Sequence, residues 1–376
     1  MKKTITAVII AAMLTVSVCA SDFGVPSCIL TEASTGEVLY EYNPDEALPP
    51  ASVTKIMTLL LVMEAVDDGR LGWDEMVQTS EYAASMGGSQ VYLEPGEEMS
   101  VAEMVKCVVV SSANDAAVAL AEKVAGSEEN FVAKMNDRAK ELGMTNTVFK
   151  NTNGLDDTVE GHVTSARDIA IMSRELITKH PKILEYSSIW MDTIRNGAFG
   201  LTNTNRLIRF YRGANGLKTG STSKAKFCIS ATAERDGMEL IAVVMAAETR
   251  DSRNEAAKKL LDYGFANWEL AKLGAGELEK MPVLGGIESE VGLVAAQTTA
   301  VVTKGSAAKI ERVFELPEKI SAPVGEGEEV GRVIYYLGDE KLAEVPITAE
   351  KEVKKIGYIG LLGRFIRRLV LAEMYF

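Results

Sequence analysis

The sequence predicts an α/β sandwich over residues 21–270, a small all-β domain over 275–352 and an amphipathic helix over 356–376. Three observations lead there. Strand-like segments at 27–41 and 226–246 enclose a helical middle, so both ends of the first domain should meet in one sheet. Past residue 275, short β-rich segments alternate with Gly-, Pro- and Glu-rich turns. From Gly357 onward the pattern returns to helical spacing, with a basic arc opposite an apolar one.

The chain opens with Lys2 and Lys3, followed by an apolar run from Ile5 to Val18 and by Val18-Cys19-Ala20 at a cleavage position. This is the pattern of an export signal over residues 1–20, cut after Ala20. The run is short for a bilayer span. Val18 stands where a lipoprotein signal needs a smaller residue. Cys28, Cys107 and Cys228 remain, an odd number in apolar stretches, and are expected as buried thiols rather than a disulfide framework.

Segments 27–31 and 37–41 flank Thr35-Gly36 as the strands of a hairpin. Asn43-Pro44 and Pro49-Pro50 break the chain, and Ser52 is expected to open a helix running to about Asp68 and stopped by Gly69. Residues 70–99 are looser, with glycines suited to a loop near a cleft. Ser100-Val101-Ala102-Glu103 is a capping-box pattern that starts a short helix. Further helices are expected over 116–124, 131–142 and 165–178, the first two closed by Gly126 and Gly143.

From Gly213 the pattern turns to strands, with 226–233 and 238–246 joined at Asp236-Gly237. Residues 254–268 return to helical spacing, with Ala256, Ala257, Leu260, Leu261 and Phe265 on one side. Strands at 291–295, 298–302, 309–314 and 330–336 fill the all-β domain. In the tail, Arg364, Arg367 and Arg368 share an arc opposite Tyr358, Leu362, Phe365, Ile366 and Leu369. That composition suits a helix lying on a membrane surface, and three central arginines speak against a spanning one.

A formal charge of −13 argues against a nucleic-acid partner, which normally meets a basic face. His162 and His180 are the only imidazoles, and the four cysteines are widely spaced, so neither a zinc site nor any other cofactor is expected. His162 reads as structural. With histidine so scarce, a lysine becomes the better candidate for a catalytic base.

Ser52 and Lys55 are three residues apart at the head of the apolar run 56–63, which places them on one face of a first helical turn. A serine there lies in a field that favours developing negative charge, and an amine that sheds its proton makes it a nucleophile. Alone, Ser-x-x-Lys is expected by chance about once in a chain of this size. Two further tripeptides complete a set: Ser112-Ala113-Asn114, between an apolar segment and a helix, and Lys218-Thr219-Gly220, expected just before a strand. In this order they form the signature of serine acyltransferases that react with penicillin.

From about Pro26 to Trp268 the chain resembles the penicillin-binding D-alanyl-D-alanine carboxypeptidases of low molecular mass. The likeness extends to Thr35-Gly36-Glu37-Val38-Leu39, Leu142-Gly143-Met144-Thr145-Asn146-Thr147, Asn153-Gly154-Leu155-Asp156, Asn203-Thr204-Asn205 and Leu260-Leu261-Asp262-Tyr263-Gly264-Phe265. The β domain and the terminal helix also fit that layout. The resemblance implies a β-lactamase/transpeptidase-like fold, an antiparallel sheet flanked by helices, acting on peptidoglycan pentapeptide stems and trapped by β-lactam antibiotics.

It further implies a role for each matching residue. Ser52 attacks the carbonyl between two D-alanines and Lys55, held neutral by desolvation or by Lys218, takes its proton. Ser112 relays that proton to the departing D-alanine, and Asn114 orients Lys55 and the substrate amide. Lys218, Thr219 and Arg253 hold the terminal carboxylate, Arg253 being chosen over Arg250 by its spacing to the following helix. Gly220 and Ser221 follow on the same segment, and the backbone N–H groups of Ser52 and Ser221 form the oxyanion hole.

Two other readings compete. A β-lactamase shares the motifs but needs a positioned glutamate for deacylation; Glu94, Glu97 and Glu98 lie in a plausible region, yet no Glu-x-x-Leu-Asn arrangement occurs. A non-catalytic envelope protein that only binds peptidoglycan would have no use for an intact Ser52, Lys55, Ser112 and Lys218.

Overall fold

A computed structural model describes residues 23–156 and 159–372, with side chains as far as Ile366. The expected export signal, residues 1–20, lies outside the described residues.

Five antiparallel strands form the main sheet, in the order Val38–Tyr42, Ser27–Glu32, Met238–Ala247, Lys226–Arg235, Ala214–Thr222. The first strand of the domain thus pairs with its last, as the segment order predicts. Side chains alternate across the central strands. Ile29, Ile241, Val243 and Met245 face the helical layer, whereas Cys28, Leu30, Leu240, Ala242 and Val244 face helix Arg250–Asn267. Both faces are covered, so these segments read as continuous apolar runs rather than as alternating ones.

Helix Lys55–Asp67 is apolar on every side because it runs through the middle of the helical layer, where Ile56, Met57, Leu59, Leu60, Val62 and Met63 are buried. Val101–Val110, Asn114–Ala125, Glu128–Glu141 and Ala166–Lys179 surround it. The expected caps form: Ser100 Oγ accepts from Glu103 N at 3.3 Å and Ser165 Oγ from Asp168 N at 3.1 Å. The Asp168 carboxylate also reaches beyond its own cap residue, Ser165. It accepts from Asn146 N and Thr147 Oγ1, at 2.9 and 2.7 Å, which ties the loop after Gly143 to the helix.

Four expectations need correction. Ser52 does not open an α-helix; it lies in a 3₁₀ turn, Ala51–Thr54, and the α-helix starts at Lys55. Pro49-Pro50 denies the preceding turn its N–H donors, and the chain enters the helix by the tighter route. Lys218-Thr219-Gly220 sits inside strand Ala214–Thr222 and not ahead of it. Neighbouring backbone pairing carries a Lys and a Gly that have little strand preference of their own. Helix Arg250–Asn267 begins four residues before the expected 254, set by a capping box between Thr249 and Ser252. Trp268 ends no helix: Trp268–Leu273 is a strand paired with Thr298–Thr303.

The second domain contains a four-stranded sheet, ordered Leu293–Ala295, Glu340–Ala349, Glu329–Leu337, Ile310–Glu315. Val333, Tyr335, Val345 and Ile347 pack with Ala271, Leu273, Ala300 and Val302 of the two-stranded ribbon to make its core. Strand Glu340–Ala349 has no counterpart among the expected segments, since charged residues on its open face mask the pattern.

The tail forms helix Tyr358–Ala372. Arg364, on the expected basic arc, donates to the carbonyls of Gly286 and Ile287 at 3.1 and 2.6 Å. Tyr358, Ile359, Leu361, Leu362, Phe365 and Ile366 stay exposed, Tyr358 at 94% and Ile359 at 90%. Among the described residues no helix is long and apolar enough to cross a membrane.

Candidate active site

The 3₁₀ turn carrying Ser52 is pinned from two sides. Gly220 approaches it from the edge strand: a Cβ there would stand 2.8 Å from Pro50 O and from Ser52 N. Gly154 approaches from the opposite loop with φ +84°, and a Cβ would fall 1.8 Å from Ala51 O. Only glycine fits either place. Below the turn, Lys150 N donates to His162 Nδ1 at 3.1 Å, which leaves Nε2 as the protonated nitrogen facing Thr54 Oγ1 at 2.8 Å. Thr54 Oγ1 in turn donates to Ala51 O at 2.8 Å. His162 is therefore neutral and structural, and burial lowers its pKa to about 4.

Lys55 is fully buried and its Nζ meets three oxygens: Ser52 Oγ at 2.9 Å, Asn114 Oδ1 at 2.5 Å and Asn153 O at 2.8 Å. A neutral amine has two N–H bonds and a lone pair, which matches two pure acceptors and one hydroxyl that can donate. Burial holds the Lys55 pKa well below its ordinary value, Lys218 pushes it further down, and Asp115 opposes them. Desolvation thus outranks the like charge that the motif order suggests.

The Asn114 Nδ2 donates to Gly87 O at 2.6 Å, so both ends of this amide are engaged and its oxygen orients Lys55. Lys218, also buried, donates to its neighbour's carbonyl, Thr219 O, at 2.9 Å. Burial and Arg253 push its pKa down to about 7. Arg253 is only 3% exposed and donates to Asn254 Oδ1 and Cys228 O. Its pKa falls to about 10 through burial and then through Arg250 and Arg206.

A cavity of about 650 Å³ opens over this assembly, and Ser52, Ser112, Thr219, Gly220, Ser221 and Arg253 line it. Ser112, at φ +63° between two helices, is held in a backbone state that non-glycine residues rarely adopt, a common mark of functional sites. Lys55, Asn114 and Lys218 are not part of the cavity wall; they stand behind it. Of the nine residues singled out in the sequence, the fold brings all nine into one assembly, six on the wall and three beneath it.

Sequence reasoning missed much of the opposite wall, formed by Trp190, Thr204, Arg206 and Phe210. The only signal was Asn203-Thr204-Asn205. Asn203 Nδ2 donates to Ser187 O and Ile189 O, and Asn205 Nδ2 to Gly216 O, which fixes this loop against the edge strand. Thr219 Oγ1 then donates to Thr204 Oγ1 at 2.8 Å.

Among the described residues no Asp or Glu lines the cavity. Glu97 is paired with Arg195 at 2.7 Å and holds a loop instead. Cys28, Cys107 and Cys228 are buried and unpaired, with thiol pKa values raised by burial to about 12, 12 and 11.

These shifts fix a stability profile. Lys218 has a lowered pKa when folded, so between about 7 and its unfolded value of 10.5 the unfolded chain binds more protons and stability rises with pH. His162 gives the same sign between about 4 and 6.5. The thiols act oppositely above 9.0, where the unfolded chain ionises first. Lys55, also held well below 10.5 when folded, adds the same sign, so denaturant midpoints should climb from pH 7 to about 9, and a Lys218→Met variant should lose about half of that slope.

Comparison with known proteins agrees with this geometry. The family description "D-alanyl-D-alanine carboxypeptidase" matches residues 15–249, and "Penicillin-binding protein 5, C-terminal domain" matches 270–355. D-alanyl-D-alanine carboxypeptidase DacF of Bacillus subtilis is 45% identical over 345 residues, covering 90% of this chain and 88% of its own. DacC of Escherichia coli is 34% identical, over 90% of this chain and 86% of its own. The solved penicillin binding protein 5 of Haemophilus influenzae superposes with a TM-score of 0.77 at 32% identity, covering 90% of this chain and all of that one. Penicillin-binding protein D2 of Listeria monocytogenes, solved with ampicillin bound, is 36% identical over 64% of this chain and 97% of its own, with a TM-score of 0.59. A Ser52 turn clamped by Lys-Thr-Gly, a buried lysine with a lowered pKa and a matching β domain all point one way: the chain belongs to the peptidase S11 family of D-alanyl-D-alanine carboxypeptidases.

Proposed function

We propose that the chain removes the terminal D-alanine from peptidoglycan pentapeptide stems through an acyl-enzyme on Ser52. The contact that carries this reading is Lys55 Nζ to Ser52 Oγ at 2.9 Å, with the amine's other two partners pure acceptors. Lys55 removes the Ser52 proton as Oγ bonds to the carbonyl carbon between the two D-alanines. Negative charge collects on the former carbonyl oxygen, where the backbone N–H groups of Ser52 and Ser221 are worth about 3–4 kcal/mol each. Ser112 hands its proton to the departing amine and takes the one that Lys55 holds, the C–N bond breaks, and D-alanine leaves. Water then attacks the ester, and Ser52 regains its proton.

Thr219, Arg253 and Lys218 supply the positive field for the substrate's terminal carboxylate. Lys218 acts from behind the wall, and in the resting enzyme it depresses Lys55 as well. A β-lactam opened by Ser52 forms the same kind of ester. That no carboxylate lines the cavity among the described residues favours slow deacylation over β-lactamase turnover.

Mass spectrometry after incubation with benzylpenicillin tests the reading. We expect one penicilloyl group on the peptide containing Ser52, with D-alanine release from a pentapeptide stem blocked in parallel. Rapid nitrocefin turnover with no stable adduct would reassign the protein as a β-lactamase. D-alanine release that survives full labelling elsewhere would discard the nucleophile.

We also propose that the protein is exported and rests on the outer face of the cytoplasmic membrane through residues 356–376. Support comes from the exposed apolar side of helix Tyr358–Ala372, with Arg364 turned to the β domain. Removing residues 357–376 should move the protein from the membrane fraction to the soluble one with activity retained. Equal partitioning of both forms would dispose of the anchor.

A further inference from the structure

The cleft holds more positive charge than one carboxylate requires. Arg250 and Arg206 line the same cavity as Arg253, and neither has an acidic partner or a hydrogen-bond acceptor among the described residues. Among the described residues no Asp or Glu on the wall compensates them, although the whole chain carries a net charge of −13. Both are exposed and solvated, whereas Arg253 between them is buried. Arg250 is the first residue of the long helix Arg250–Asn267, where the backbone dipole already presents positive charge, and Arg253 follows one turn later on the same face. Asp251 on that turn is exposed and off the wall. Arg206 comes from the opposite wall, where Asn205 anchors the loop through Gly216 O and Leu207 N.

Both arginines are close enough to Arg253 to repel its guanidinium. An arrangement of this kind suits an anion, because guanidinium groups and a helix N-terminus both bind carboxylates. Thr219 and Arg253, with Lys218 behind them, already account for the terminal carboxylate. Beside them, Trp190 and Phe210 form an apolar flank, with the Arg209 guanidinium 5.7 and 5.6 Å from their ring centroids.

Building on the carboxypeptidase reading, we propose that Arg206 and Arg250 form a second anion subsite, which takes a side-chain carboxylate of the stem peptide beyond its terminal one. The enzyme then selects stems whose diacid side chain is free over those in which it is amidated.

A matched pair of acyl-D-Ala-D-Ala peptides tests this, identical except that the residue before the two D-alanines ends in a carboxylate or in the corresponding carboxamide. The parent enzyme should show a KM for the carboxylate peptide lower by about tenfold or more, the scale of a hydrogen bond to a charged group. In the double variant Arg206→Gln/Arg250→Gln that ratio should fall to near one. Raising ionic strength should erode the parent's ratio in the same direction. The ratio is read within each protein, so a change in overall rate does not confound it.

Equal KM values for the two peptides in the parent, with D-alanine released from both, overturn the subsite and leave the carboxypeptidase reading standing. A double variant that keeps the parent's ratio also overturns it. Failure to release D-alanine from either peptide, with no penicilloyl adduct, overturns both together.

Discussion

The Ser52→Ala variant is expected to release D-alanine from a pentapeptide stem on the order of 10⁴–10⁶ times more slowly than the parent, and to carry no penicilloyl group. Ser52 is half-buried and its hydroxyl has a single side-chain partner, Lys55, so thermal stability should hardly change. What survives in the variant is a complete cavity with its Lys55–Asn114–Asn153 contacts and the cationic wall. Substrate should therefore still bind. A fluorescent stem analogue that binds the variant with the parent's affinity, while no D-alanine appears, is the expected pair of results. Unchanged turnover would remove Ser52 from the chemistry altogether.

Lys55→Arg should cost about 10²–10⁴-fold in acylation rate, because a guanidinium cannot give up its proton at any accessible pH. The parent's acylation rate should fall in acid as Lys55 gains a proton, along a limb lying well below the ordinary lysine range. Removing the neighbouring charge with Lys218→Met takes away one of the two causes that depress Lys55. The limb should then move to higher pH, and the rate at neutral pH should drop. Stopped-flow acylation by penicillin across pH measures both effects. A limb that stays in place in Lys218→Met would mean that burial alone sets the protonation of Lys55.

The parts of this site legible in the sequence were those whose chemistry resides in side chains with fixed spacing. Ser52 and Lys55, three apart, and the ordered Ser112, Asn114 and Lys218 are of that kind. The apolar runs at 226–233 and 238–246 likewise announced strands, since both faces of the sheet are covered. What stayed hidden rests on backbone or on distant walls. Asn153 contributes its carbonyl to Lys55, and any residue has one. Arg206 reaches the cavity because Asn205 holds its loop against Gly216, a long-range contact that leaves no periodic trace. Strand Glu340–Ala349 was masked by its own charged face, and Trp268–Leu273 by helical spacing that ran on past the cap. The prolines before Ser52 marked a break correctly, but not the tighter turn that follows.

The main sheet closes only when strand Ser27–Glu32 pairs with Met238–Ala247, and the latter is the anchor for Lys226–Arg235 and Ala214–Thr222. During synthesis Ser52 and Lys55 emerge long before Lys218 and before three of the five strands of that sheet. Until Lys218 and the strands around it have been made, Lys55 lacks part of the burial and the neighbouring charge that hold its pKa down. A ribosome-bound or partly threaded chain thus carries an intact motif in an incomplete site. Penicillin labelling of truncated chains would time the moment at which sequence becomes enzyme.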